Sequence, residues 1–284
     1  MKKYLLSLTL SLLFIPIVLW GQNTSAKSLS SRLDTLIKYQ LPAGSNVGIS
    51  VYDLTTGKSL YTYQSDKLSR PASTMKLLTT ITALARPDAD EPFKTEVWYQ
   101  GVIERDTLKG DIYVVGGYDP EFDDEALDSL VNTVSRFPFS VIAGNVYGDV
   151  SMKDSIYWGS GWAWDDTPAS YQPYLSPLML NKGLVTVTAS PGEKGEMANI
   201  ECVPASSYYT VTNETQSRTP SAGRFGVSRD WLQNGNNVII KGNVESKRIG
   251  TVNIYSSQDF FMYTFLERLR AKGIPVSYTH LRAH

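Results

Sequence analysis

The chain has 284 residues, a formal net charge of −1, 42% hydrophobic and 19% charged residues, which is ordinary globular composition with enough apolar material for a core. The near-neutral balance gives no sign of the basic patch that nucleic-acid binding requires. One cysteine, Cys202, excludes an internal disulfide, and the two histidines, His280 and His284, sit at the very end, which speaks against a zinc hydrolase with histidine ligands.

Lys2 and Lys3 precede an apolar run, Leu5 to Val18, and polar sequence begins at Gly21. This is the pattern of a signal peptide over 1–21; an uncleaved anchor is the alternative. No later stretch is apolar and long enough to span a bilayer, so no stable transmembrane anchor is expected after cleavage, and the product is expected in the periplasm or cell envelope. Leu29, Leu33, Leu36 and Ile37 form one stripe of a helix over 28–40. Val47, Ile49 and Val51 alternate as a half-buried strand, Thr55-Thr56-Gly57 turns, and residues 60–63 return as the second strand of a hairpin.

The segment Arg70-Pro71-Ala72-Ser73-Thr74-Met75-Lys76 then enters a helix whose period is carried by Leu77, Leu78, Ile81 and Leu84 and which stops at Pro87. Ser73 falls in its first turn, and Lys76 lies on the same face one turn later. A hydroxyl and an amine at that spacing suit nucleophilic catalysis, the amine taking the proton as the oxygen attacks. The helix start favours negative charge on that oxygen. The apolar helix is expected to carry Lys76 into the interior, where a cation is disfavoured. Ser73 as a plain helix cap and Lys76 reaching to solvent is the other reading of the same residues, since a serine and lysine three apart arise by chance about once in a chain this long.

From residue 95 to 256 the texture is rich in Gly, Tyr, Val, Thr and Asn. Strands are predicted over 95–99, 111–115, 141–146, 184–189, 238–244 and 251–255, with one helix over 121–134. The acidic run Asp123-Asp124-Glu125 reads as a charged first helical turn rather than a calcium site. Cys202 reads as a buried strand residue. Trp158, Trp162 and Trp164 are expected to serve packing more than as a carbohydrate platform. A final helix over 258–272 carries Phe261, Phe265 and Leu269 on one stripe and ends at Gly273-Ile274-Pro275. Residues 276–284 read either as a non-native tail or as a native ragged end.

The stretch 70–80 resembles the active-site segment of penicillin-binding proteins, whose motifs are Ser-x-x-Lys, Ser-x-Asn and Lys-Thr-Gly. Further pieces are similar, in order, to one branch of that superfamily, the D-alanyl-D-alanine carboxypeptidase/endopeptidases with a large domain inserted after the nucleophile helix. They are residues 108–120, 142–149, Gly161-Trp162-Ala163-Trp164-Asp165-Asp166 and 181–191. The resemblance implies an α+β fold: a serine β-lactamase/DD-peptidase-like catalytic domain with a β-rich insert. It divides the chain into 22–92 as the first part of the catalytic domain, 93–256 as the insert and 257–275 as a helix returning to the catalytic domain. It implies Ser73 as nucleophile and Lys76 as base, acting without metal or organic cofactor on peptidoglycan stem peptides ending in D-Ala-D-Ala, with β-lactams as covalent inhibitors. Asp166 and Tyr171 match the places that hold the amino end of the stem peptide's diamino acid; a solvated acidic turn beside a packed tyrosine is the plain alternative. Neither Ser-x-Asn nor Lys-Thr/Ser-Gly occurs among the 284 residues, so the resemblance implies an N-terminal fragment with an incomplete catalytic domain and bare apolar faces at the break. The rival functions are a non-catalytic cell-wall-binding or β-lactam-sensing module and, less in keeping with the long insert, a serine β-lactamase.

Overall fold

The computed structural model describes residues 28–279. The apolar run Leu5–Val18 and both histidines lie outside the described residues. The chain divides into two units, Met1–Asp90 and Glu91–His284.

In the first unit, helix α1 (Leu29–Tyr39) starts at Ser28, whose hydroxyl accepts the Ser31 N–H at 3.2 Å. Strands β1 (Ile49–Asp53) and β2 (Lys58–Tyr63) form the expected antiparallel hairpin, with Ile49 opposite Tyr63. The turn is built by Asp53, which accepts from the Thr55 N–H at 2.9 Å and the Thr56 hydroxyl at 2.5 Å. Those bonds, Thr56 first, hold the Asp53 carboxyl below its usual range. Tyr61 donates to Asp34 at 2.7 Å and so ties the hairpin to α1. Helix α2 (Met75–Leu84) completes the unit.

In the second unit, β3 (Glu96–Glu104) and β4 (Thr107–Val115) form an antiparallel hairpin. Helix α3 (Asp124–Val134) then crosses to β5 (Val141–Asp149), parallel to β4. Asp123 caps α3 by accepting the Ala126 N–H at 2.9 Å, so the acidic run is a helix start as expected. The chain continues through β6 (Leu184–Ser190), β7 (Asn199–Val203), β8 (Thr210–Ser217), β9 (Gly226–Arg229), β10 (Asn237–Val244), β11 (Arg248–Asn253), α4 (Ser257–Ala271) and β12 (Val276–Thr279). Three sheets result, ordered β12-β5-β4-β3, β11-β6-β7 and β8-β10-β9. Strand β12 pairs parallel with β5, so 276–279, the start of the stretch read as a non-native tail or a native ragged end, form a sheet edge.

Alternation on β4 turns Leu108, Ile112 and Val114 into the core, where they meet Leu127 and Val131 of α3 and Ile142 and Val146 of β5. Helix α4 closes the same core with Phe260, Phe261, Phe265 and Leu269, all essentially inaccessible. Each such side chain contributes roughly 1.5–3 kcal/mol by leaving water. The aromatic face of this helix, which the resemblance assigns to the catalytic domain, packs in the core of the second unit. Arg268 of α4 fastens α3 through the Asp124 carbonyl at 2.9 Å, Asp128 at 2.8 Å and the Asp124 carboxylate. Cys202, on β7, is half-buried against this core, and burial pushes its thiol pKa up. Among the described residues, no helix is long and apolar enough to cross a membrane.

Candidate active site

Ser73 stands in a single 3-10 turn, Ala72–Thr74, that feeds directly into α2. The turn is closed by Thr74, whose N–H donates to the Pro71 carbonyl at 3.0 Å and whose hydroxyl donates to the same oxygen. Ala72, immediately before Ser73, has φ +44°, a left-handed conformation that a residue with a Cβ rarely adopts. Strain of this kind persists only where the surroundings impose it, and it is found at nucleophile-bearing turns. One helical turn on, the Lys76 Nζ donates to the Ser73 Oγ at 3.1 Å. The predicted pair is therefore in hydrogen-bond contact, with the amine positioned to take the hydroxyl proton. No side chain caps α2, so its first N–H groups face the same end as Ser73.

One expectation is overturned. The sequence reads α2 as a buried helix carrying Lys76 inward, yet no residue of α2 is buried. Leu77, Leu78, Ile81 and Leu84 are 61–74% exposed, and Lys76 is exposed as well. The physical reason is the scarcity of layers: among the described residues of this unit, two helices and a two-stranded sheet are too few elements to cover every apolar stripe.

Asp166 and Tyr171 lie in the second unit. A 3-10 turn, Trp164–Asp166, presents the carboxylate, and the Tyr171 hydroxyl donates to its Oδ1 at 2.9 Å. Tyr171 is 72% exposed, and that hydrogen bond is the main cause that pushes its phenol pKa up. The loop is held from below by buried Gln172, whose amide donates to the Ala163 carbonyl at 2.9 Å and the Thr167 hydroxyl at 3.3 Å. Asn253, at the end of β11, donates to the Gln172 carbonyl at 2.7 Å. The acidic turn is therefore anchored to a core strand rather than free. The structure joins Ser73 with Lys76 and Asp166 with Tyr171; the two pairs belong to different units.

Sequence reasoning missed the group behind this loop. Arg229, only 2% exposed, donates from Nε to Asn253 at 3.0 Å, from Nη1 to the Gly235 carbonyl at 2.8 Å and from Nη2 to the Tyr174 hydroxyl at 3.2 Å. Among the described residues no carboxylate pairs with it. The available signal was alternation: Arg229 shares a strand face with Val227, which packs on the core.

The family model for D-Ala-D-Ala carboxypeptidase 3 (S13) matches residues 29–283. The chain is 29% identical over 191 residues to a D-alanyl-D-alanine carboxypeptidase of Actinomadura sp. (strain R39), covering 65% of this chain and 36% of that protein. It is also 29% identical over 127 residues to D-alanyl-D-alanine carboxypeptidase DacB of Haemophilus influenzae, covering 45% of this chain and 26% of that one. Both alignments thus span well under half of the relatives' lengths. The crystal structure of penicillin-binding protein 4 (dacB) from Haemophilus influenzae superposes with a TM-score of 0.70 at 21% identity, over 88% of this chain and 55% of that one. The same protein complexed with a novel β-lactam superposes with a TM-score of 0.62 at 19% identity. That likeness establishes the fold, a mixed α and β DD-peptidase architecture. A model that runs through the helix of Ser73, the loop of Asp166 and the whole second unit leaves one assignment: the chain belongs to the D-Ala-D-Ala carboxypeptidase 3 (S13) family.

Proposed function

We propose that this chain is the N-terminal part of an exported serine-type D-Ala-D-Ala carboxypeptidase/endopeptidase that works through an acyl-enzyme on Ser73. The observation that carries the reading is the 3.1 Å contact between the Lys76 amine and the Ser73 hydroxyl at the start of α2, in a chain of this family. Ser73 Oγ attacks the carbonyl carbon between the two terminal D-alanines as Lys76 takes its proton. The tetrahedral intermediate collapses, the proton passes to the departing amine, and D-alanine, or the amine of a cross-linked neighbour, leaves. Water then hydrolyses the ester and restores Ser73. A β-lactam opens on the same oxygen and remains attached. In the stem peptide the diamino acid's ammonium meets Asp166, whose carboxylate is oriented by the Tyr171 hydroxyl.

The division proposed is 22–92 for the catalytic part and 93–256 for the insert. The Ser-x-Asn and Lys-Thr/Ser-Gly motifs, absent from these 284 residues, are proposed to lie in sequence beyond them and to cover the apolar face of α2. Loss of an oxyanion-hole donor alone costs roughly 10²–10³-fold in rate, so the chain by itself is expected to be weak or inactive. The test is labelling of the full-length gene product with a fluorescent penicillin. A label that disappears in Ser73→Ala supports the enzyme; a full-length protein that takes no Ser73-dependent label refutes it in favour of a non-catalytic wall-binding module.

A further inference from the structure

A cavity of about 230 Å³ opens on the second unit, walled by Trp158, Trp164, Trp231 and Tyr174, with Thr167 and Asn234 adding polar atoms. Its walls come from segments far apart in sequence. Trp164, 64% exposed, meets Trp231 with ring centroids 5.2 Å apart at 40°, and Trp158 meets Tyr174 at 4.9 Å and 48°. The site is braced from behind. Trp158 donates its indole N–H to the Pro173 carbonyl at 3.2 Å. Buried Arg229 donates to the Tyr174 hydroxyl, which in turn donates to Asn234 Oδ1 at 3.3 Å. That chain of bonds orients the Asn234 side chain, with its oxygen turned to Tyr174 and its amide N–H groups left as donors. The indole N–H groups of Trp164 and Trp231 likewise have no partner among the described residues.

The chemistry of the cavity narrows its ligand. Aromatic faces carry negative charge at the centre of the ring and attract the C–H edges of a flat apolar face or a cation. A cation is disfavoured here, since no carboxylate lines the cavity and an unpaired guanidinium stands behind Tyr174. The unpaired N–H groups are donors, so the ligand must bring an acceptor, and a carbonyl is one that fits among aromatic walls. The volume suits a single ring rather than a polymer cleft. We propose that this cavity binds the pyranose ring of an N-acetylated amino sugar. The C–H face of the ring lies on Trp164 and Trp231, and the acetamido carbonyl accepts from Asn234. All of its lining belongs to the second unit, and the proposal does not depend on the acyl-enzyme reading.

The test is calorimetric titration of the chain, and of its Ser73→Ala variant, with tri-N-acetylchitotriose, cellotriose and tetramethylammonium. Saturable binding of the N-acetylated trimer by both proteins is expected, with cellotriose weaker by about tenfold, the scale of one lost hydrogen bond. Trp164→Ala and Trp231→Ala should each weaken the trimer by about tenfold, Trp164→Phe by less, with unchanged far-ultraviolet dichroism. Asn234→Ala should bring the trimer down to the level of cellotriose. The proposal is overturned by no saturable heat with the trimer, by equal affinity for cellotriose, by tryptophan variants that bind as well as the parent, or by preferential binding of tetramethylammonium. A full-length protein that takes no Ser73-dependent penicillin label, with sugar binding intact, would overturn the enzyme reading and leave this one standing.

Discussion

Arg229→Ala should destabilise the second unit by about 3–5 kcal/mol, the sum of orphaned buried acceptors and an emptied volume less the relief from burying a cation. The magnitude follows from what the guanidinium holds. Its removal leaves Asn253 Oδ1, fully buried, and the Gly235 carbonyl without their donors. Each orphaned acceptor costs about 1–3 kcal/mol, and the emptied volume beneath Tyr174 adds to that, while relief from burying a cation offsets part. Arg229→Met fills the space without the charge and should lose less than Arg229→Ala, because volume is kept while the two acceptors stay unpaired. Arg229→Lys keeps charge but not the planar fork that serves three acceptors in different directions, so it should fall between the parent and the alanine variant. Urea unfolding followed by tryptophan fluorescence reads this unit, since Trp98, Trp158, Trp162, Trp164 and Trp231 all lie in it. With a slope near 2 kcal/mol per molar, the alanine midpoint should drop by about 1.5–2.5 M. A cycle with Asn253→Ala should show coupling of about 1 kcal/mol or more, as the two side chains share a bond. A midpoint shift below about 0.5 M at unchanged slope, or strict additivity with Asn253→Ala, would refute the reasoning.

Gly110→Ala should cost at least about 2 kcal/mol, because a Cβ there would stand 1.9 Å from the Gln100 carbonyl oxygen and 2.7 Å from the Gly101 Cα, forcing β3 and β4 apart; a thermal melt checks it. Burial first, then neighbouring groups, raises the phenol pKa of Tyr208 and Tyr209. Their stabilisation is therefore full below the unfolded value of about 10 and lost as pH rises through the folded values, so phenolate absorbance should lag until unfolding and stability should fall with pH above about 10. Lys76→Ala in the full-length protein should slow acylation by penicillin roughly 10²–10⁴-fold with the melting temperature unchanged, which stopped-flow labelling and a melt together measure. The exposed apolar face of α2 should bind the dye ANS in the native chain, and Leu77→Ser with Leu78→Ser should reduce that fluorescence.

Much of the local structure was legible because it rests on local rules. Alternating apolar residues marked β4, β5, β6 and β10, and the stripes of α1, α2 and α4 marked those helices. Strand β7 carried the same signal in Ile200 and Cys202, and only Cys202 reads as a strand residue from the sequence. Strand β8, Thr210–Ser217, carried almost none: its residues are mostly polar, and it is a strand because it pairs in parallel with β10 along eight positions. Strand β12 likewise exists through its pairing with β5.

By itself, the sequence determined the chemistry on offer. It set Ser73 and Lys76 one helical turn apart, put Asp166 five residues before Tyr171, and ordered the pieces that resemble one family. Contact order along the chain could not reveal which groups would be left in water and which would lose it. Tertiary structure decided that α2 stands exposed, that α4 serves the second unit's core, and that Arg229 is buried against Asn253, Gly235 and Tyr174. It also brought Trp158, Trp164 and Trp231 around one cavity. The reason is that burial and long-range pairing depend on which surfaces meet, and residues more than 60 positions apart, such as Trp164 and Trp231, meet only when the sheets have closed.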